Sequence, residues 1–283
     1  MSKAAELKDR IREIQRLSQA SAVLSWDQQC NMPPLGAQSR AEQLATLSKI
    51  IHEKFTSDEV GALIDDLSAE TSSASMDDDE KAMARVLKRN YDRLTKVPTA
   101  LVAEEAEVTT LAHEVWVKAR KENDFKSFFP SLEKIIDIKR QIAEYIGFDE
   151  HIYDALLDAY EPGMKTKEVE RIFNELRPKL VHFVKQIQDS GTEVDDSILK
   201  RKYDIEKQKE IANDVVKRIG YDFSRGRQDI AALPFCTTLG NGDVRITTRF
   251  DDHFLQSSLF ASMHEAGHAI YEQGIPEKYD GTA

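Results

Sequence analysis

The sequence predicts a mainly α-helical, multi-helix domain in which a small β-sheet flanks one active-site helix. Apolar residues recur at helical spacing almost continuously from residue 3 to about 220. A short β-branched alternation near 243–250 then interrupts that pattern, and His264-Glu265-Ala266-Gly267-His268 follows inside a last helical run, SSLFASMHEAGHAIYEQG. At 283 residues, 41% hydrophobic and 31% charged, the composition is globular. No Pro-, Gly- and Ser-rich run divides the chain, so residues 1–283 read as one domain.

The first helix carries Leu7, Ile11, Ile14 and Leu17 on one stripe and runs toward Leu24. Residues 25–34, SWDQQCNMPP, break the pattern, and Pro33-Pro34 excludes helix there. A second helix is expected over 37–54. The Thr56 to Glu59 spacing of a capping box opens a short third helix through Leu67. Residues 68–79, SAETSSASMDDD, form a polar surface linker within the domain. Its aspartates Asp77, Asp78 and Asp79 start the next helix, where the helix dipole favours them. Further helices are expected at 78–94, 99–122, 130–146, 150–159, 166–189 and 204–219. Pro178 is expected to kink one of them and Gly220 to end the last.

After Gly220 the character changes. LPFCTTLGN (233–241) is turn-forming, and Asn241-Gly242 favours a hairpin into the strand. Along that strand Val244, Ile246 and Thr248 share one face, while Asp243, Arg245, Thr247 and Arg249 share the opposite, polar one.

The chemistry concentrates on the last helix. The apolar residues Leu259, Phe260, Met263, Ala266, Ile270 and Tyr271 give it its helical spacing. His264 and His268, four residues apart, share one face and can reach a single ion about 2.0–2.1 Å from each nitrogen. Glu265 is turned about 100° away, placed to deprotonate a metal-activated water rather than to ligate. This is the H-E-x-x-H pattern of zinc peptidases. The competing reading, a solvated helix with surface histidines, leaves polar groups on an otherwise apolar run without a partner.

A catalytic zinc normally has three protein ligands and a water. The positions where a metzincin carries its glycine and third histidine hold Tyr271 and Gly274. Glu272 lies about 12 Å along the axis from His264, and Glu277 has no recognised spacing. The third ligand is therefore expected beyond Ala283. Arg245 and Arg249 suit either a substrate carboxylate or ion pairs with Asp243, Asp251 or Asp252. The lone histidines His52, His113, His151 and His182 read as structural, His253 as a helix-start or surface residue, and Trp26 and Trp116 as core.

A net charge of −11 argues against nucleic acid as a partner. Cys30 and Cys236 are far apart and read as reduced thiols. The start, MSKAAELKDRIREIQ, has no apolar signal core, and no stretch reaches the length of a membrane span. A cytoplasmic protein without membrane partners is the expectation.

Five stretches together resemble the carboxypeptidase Taq family of metallopeptidases: LSWDQQCNMPPLGAQSRAEQ (24–43), YDALLDAYEPGM (153–164), GYDFSRGRQD (220–229), GDVRITTRF (242–250) and HEAGHAIYEQG (264–274). The resemblance implies a helical fold with a small sheet beside a deep groove. It implies a Zn2+ or Co2+ enzyme that removes single C-terminal residues from peptides with a free C-terminus, and a homodimer in the complete protein. By position it makes His264 and His268 metal ligands and Glu265 the base, with Asp243, Arg245 and Thr247 lining the substrate cleft. Leu233 stands where the family often has a histidine, so no role passes to that position. Family members run well beyond this length, their glutamate ligand in a later H-E-S/G-Q element. The chain thus resembles their N-terminal portion, with weak zinc binding and exposed apolar faces expected. A zinc endopeptidase of similar architecture and a non-catalytic helical interaction domain are the alternatives.

Overall fold

A computed structural model describes residues 2–70, 76–279 and 281–282. The stripe of Leu7, Ile11 and Ile14 turns one face of α1 (Lys3–Cys30) into a core. Against it lie α2 (Ala37–Phe55), α3 (Asp58–Ala69) and α4 (Asp78–Leu94), which supply Phe55, Ile64, Leu67, Met83 and Leu87 to the same apolar cluster. Each large apolar side chain so buried is worth about 1.5–3 kcal/mol. Helix α5 (Thr99–Glu122) packs along α2, and α6 (Phe125–Ile146) along α5 through Val97, Leu101 and Ile138.

Two helices follow, α7 (Ile152–Leu157) and α8 (Thr166–Asp189). Buried Asp154 accepts from the Thr166 backbone N–H at 2.7 Å and from its hydroxyl at 2.6 Å, fixing the first turn of α8. Those bonds hold the Asp154 carboxyl below the usual carboxylate range. From Glu170 to Asp189 every residue of α8 is exposed.

The chain then folds a second layer: α9 (Ile205–Arg218), β1 (Gln228–Ile230), β2 (Cys236–Gly240), β3 (Asp243–Thr248) and α10 (Leu255–Gln273). Strand β3 is central, parallel to β1 and antiparallel to β2. The Asn241-Gly242 turn joins β2 to β3 as its sequence predicts. Val216, Tyr221, Val244, Ile246, Ala266 and Ala269 form the core between sheet and helices. Mainly helical with a small sheet is therefore the observed class. No helix is long and apolar enough among the described residues to cross a membrane.

Several boundaries differ from expectation. Helix α1 does not stop near Leu24 but runs through Ser25–Cys30. Its last turns are enclosed by three different elements, so no single apolar stripe survives there. Asp27 pairs with Arg40 of α2 at 2.7 Å, Gln28 donates to the Thr110 carbonyl of α5 at 2.9 Å, and Trp26 lies under β3. Ser57, not Thr56, caps α3; Thr56 ends α2 with its hydroxyl on the His52 carbonyl at 2.7 Å. Asp124 caps α6 earlier than 130 and leaves Pro130 inside the helix, just as α8 continues through Pro178. Of the polar linker expected over 68–79, residues 71–75 lie outside the described residues. Ser68 and Ala69 end α3, while Asp77 caps α4 by accepting from the Glu80 N–H at 2.8 Å.

Candidate metal centre

Helix α10 meets the sheet with small residues. Ser258, Ser262, Ala266 and Ala269 are fully buried, whereas Phe260 and Tyr271, two of the residues that give the run its helical spacing, are 65% and 73% exposed. The small side chains let the helix lie close to β3, and its serines find partners inside. Ser262 donates to the Ser258 carbonyl at 2.8 Å, Ser258 donates to Gln208 Oε1 at 2.8 Å, and Thr248 donates to the Ser258 carbonyl at 3.0 Å. Gln273 clamps the far end: its Oε1 accepts from the Asp222 N–H at 3.0 Å and its Nε2 donates to the carbonyls of Asp222 and Arg225. Next to that clamp, a Cβ on Gly226 would lie 2.0 Å from the Val244 carbonyl oxygen and 2.2 Å from the Tyr221 hydroxyl. Glycine is required there by space, since its φ of 171° is ordinary extended backbone.

This seating turns His264 and His268 outward, both exposed, with Nε2 atoms 3.3 Å apart and rings at 86°. Two nitrogens each bound at the usual Zn–N distance of a tetrahedral ion stand about 3.3 Å apart. The separation of the pair matches that of two nitrogens on one ion. Gly267 between them would meet nothing within 4 Å of an added Cβ, so the approach to that face is open. Glu265, 8% exposed, lies one step round the helix toward the sheet. Burial raises its carboxyl above the usual range, against a smaller opposing pull from the two histidines.

Two imidazole nitrogens stand together on this face. Among the described residues no third carboxylate, thiol or imidazole gathers with these two nitrogens; the one group of three found lies elsewhere, at Asp251, half-buried Asp252 and His253. Glu272 accepts from the Thr238 hydroxyl at 2.9 Å, and Glu277 is exposed in a short 3-10 turn. Cys236 borders Glu265, but burial pushes its thiol up to about 12, leaving it protonated.

On β3 the Asp243 carboxylate accepts from Arg245 Nε at 2.8 Å and Nη2 at 2.6 Å, the ion pair that was one of two readings of that arginine. Arg245 lies over the Trp26 ring at 4.1 Å, with Arg227 at 5.4 Å from the same ring. Thr247 shares the polar parity of the strand yet is fully buried, because residues leading into β2 cover it. Its hydroxyl receives the Phe235 N–H at 2.8 Å and donates to the Phe235 carbonyl at 3.2 Å. Arg249 is exposed. Trp26 is the residue sequence reasoning undervalued: read as plain core, it is the platform beneath Arg245. Nothing in its spacing signals that contact, which joins positions far apart in the chain. The remaining histidines are structural or at the surface: His52 bridges Thr99 and the Leu94 carbonyl, His151 caps α7, and His253 sits on Asp252.

A family model described as carboxypeptidase Taq (M32) metallopeptidase matches residues 6–283. Carboxypeptidase 1 of Bacillus subtilis is 38% identical over 277 residues, which are 98% of this chain and 55% of that relative. Thermostable carboxypeptidase 1 of Thermus thermophilus is 34% identical, over 96% of this chain and 55% of its own length. Among solved structures, the BsuCP crystal structure superposes with a TM-score of 0.95 at 37% identity, covering 100% of this chain and 56% of that one. The M32 carboxypeptidase from Deinococcus radiodurans R1 gives 0.84 at 32% identity with the same coverage. The chain thus spans about half the length of the relatives it matches.

Proposed function

The chain belongs to the M32 carboxypeptidase Taq family of metallopeptidases, and on that premise we propose that it is the part of a zinc carboxypeptidase that carries two metal ligands and the general base. The single domain, cytoplasmic setting and homodimer expected above belong to the same reading of the complete protein. Its substrates are peptides with a free C-terminal carboxylate. His264 and His268 hold the ion, with Zn2+ favoured by paired imidazoles and Co2+ compatible with them. A bound zinc supplies a lowered pKa for water and polarisation of the scissile carbonyl.

The chain's own residues do the rest. Glu265 takes the proton of the attacking water and delivers it to the leaving amine; its partly desolvated position favours such proton exchange. Arg245, held by Asp243 and the Trp26 ring, keeps Nη1 outside its ion pair for a peptide carbonyl or carboxylate. Thr247 acts behind it by fixing Phe235.

The observation that carries this reading is the 3.3 Å separation of two exposed imidazole Nε2 atoms with a buried carboxylate behind them. The test is peptide hydrolysis by the complete enzyme. Glu265→Gln is expected to keep its zinc and lose roughly 10²–10⁴-fold in turnover. A Gln variant hydrolysing at the parent rate removes the base, and equal cleavage of a C-terminally amidated peptide makes the enzyme an endopeptidase instead.

A further inference from the structure

Helix α8 is the largest feature the proposed chemistry does not use. Phe173, Leu176, Leu180, Phe183, Val184 and Ile187 are all exposed, Phe173 by 60%, although they follow an i, i+3, i+4 pattern along 24 residues. At about 100° per residue the apolar residues of the helix cover an arc of about 120°, or about 180° with Val181 at its edge. That is wider than the two-position seam of a paired coiled coil and matches a helix facing a core built from several elements. Pro178 falls opposite the middle of the arc. The helix therefore loses its hydrogen bond on the solvent side and keeps the apolar side unbroken. Helices in proteins draw most of their stability from packing such a face, and this one touches the body mainly through its first turn and α7.

The relatives carry enough further chain to supply a cover of that size. The BsuCP chain superposes on all of this one, so it carries an equivalent of α8, yet 44% of it, the remainder of the 56% matched, has no counterpart here. We infer that the apolar face of α8 is the docking surface for a polypeptide homologous to that unmatched part. It docks as a multi-element core layer and not as a single partner helix. The inference rests on family membership and on the exposed arc, and is independent of the roles given to His264, His268 and Glu265.

The test co-produces this chain with the unmatched part of the Bacillus subtilis relative as a separate polypeptide. Complex mass is measured by light scattering, and α8 amides by hydrogen–deuterium exchange. A one-to-one complex is expected, with α8 amides slowed more than tenfold relative to the chain alone. Leu176→Glu with Leu180→Glu should abolish both changes, whereas Lys185→Glu, on the opposite side of the helix, should abolish neither. Three results overturn the inference: a complex in which α8 exchanges as fast as in the free chain, a homodimer of this chain that protects α8 without the second polypeptide, or no complex at all. None of these readouts involves metal or peptide, so they leave the catalytic reading to its own test.

Discussion

Helices α8 and α10 make opposite use of their side chains. In α8 the large apolar residues are in the open; in α10 the buried face is Ser258, Ser262, Ala266 and Ala269, and Phe260 and Tyr271 point away. Both helices have apolar residues at helical spacing, so periodicity gives both as helices and the buried face of neither. Closeness of approach decides α10, because only small residues allow its backbone to lie against β3 while serine hydroxyls bond inside. In α8 nothing described lies against the apolar arc. Apolar content marks a face that could be buried; shape decides whether the body of the molecule buries it.

The sharpest way to break this contrast is to remove the close fit behind α10. Gly226→Ala forces a Cβ onto the Val244 carbonyl and the Tyr221 hydroxyl, and a loss of about 3 kcal/mol is expected, at the top of the range for overpacking. Urea denaturation of the 283-residue chain measures it, and a loss below about 1 kcal/mol would show that the 221–227 loop yields freely. Ala269→Leu adds volume at the helix–sheet contact and should cost about 2 kcal/mol in the same assay. If instead it stabilises, α10 is not seated by small residues.

A pH titration sharpens the other side. The Asp154 carboxyl is held low by the Thr166 hydroxyl and N–H, so its folded pKa lies below its unfolded value. Its stabilisation is then fully present above about pH 3.9, the ordinary aspartate value, and is lost as pH falls through the lower folded value. Exchange at the Thr166–Val169 amides, corrected for intrinsic rates, should stay protected from neutral pH downward and open only in strong acid. Asp154→Asn should remove that step, and an unchanged acid profile in the variant would assign it elsewhere. The smallest effect is expected on α8 itself. Leu176→Ala should change the stability of the isolated chain by less than about 0.5 kcal/mol, as at exposed sites, and a larger loss would mean the arc is already covered in solution.

Much of the framework was legible in the chain. The bounds of α4, α5 and α8 follow the residues that cap or precede them: Asp77 before α4, Pro98 before α5, and the regular arc of α8. The Asn241-Gly242 turn and the strand after it were equally plain, as was the pair of histidines on one helical face. The end of α1 was not. Asp27, Gln28 and Trp26 are polar or bulky residues that three surrounding elements hold in the helix, with Trp26 buried among them.

By itself the sequence determined what depends on neighbours a few residues apart: helices, caps, one turn, and imidazoles four residues apart. Tertiary structure alone decided which faces meet. The burial of Glu265 and Thr247, the stacking of Arg245 on Trp26 and the exposed arc of α8 depend on contacts between residues distant in sequence. Those contacts are set by the volume and closeness of approach of whole elements, which no local spacing encodes.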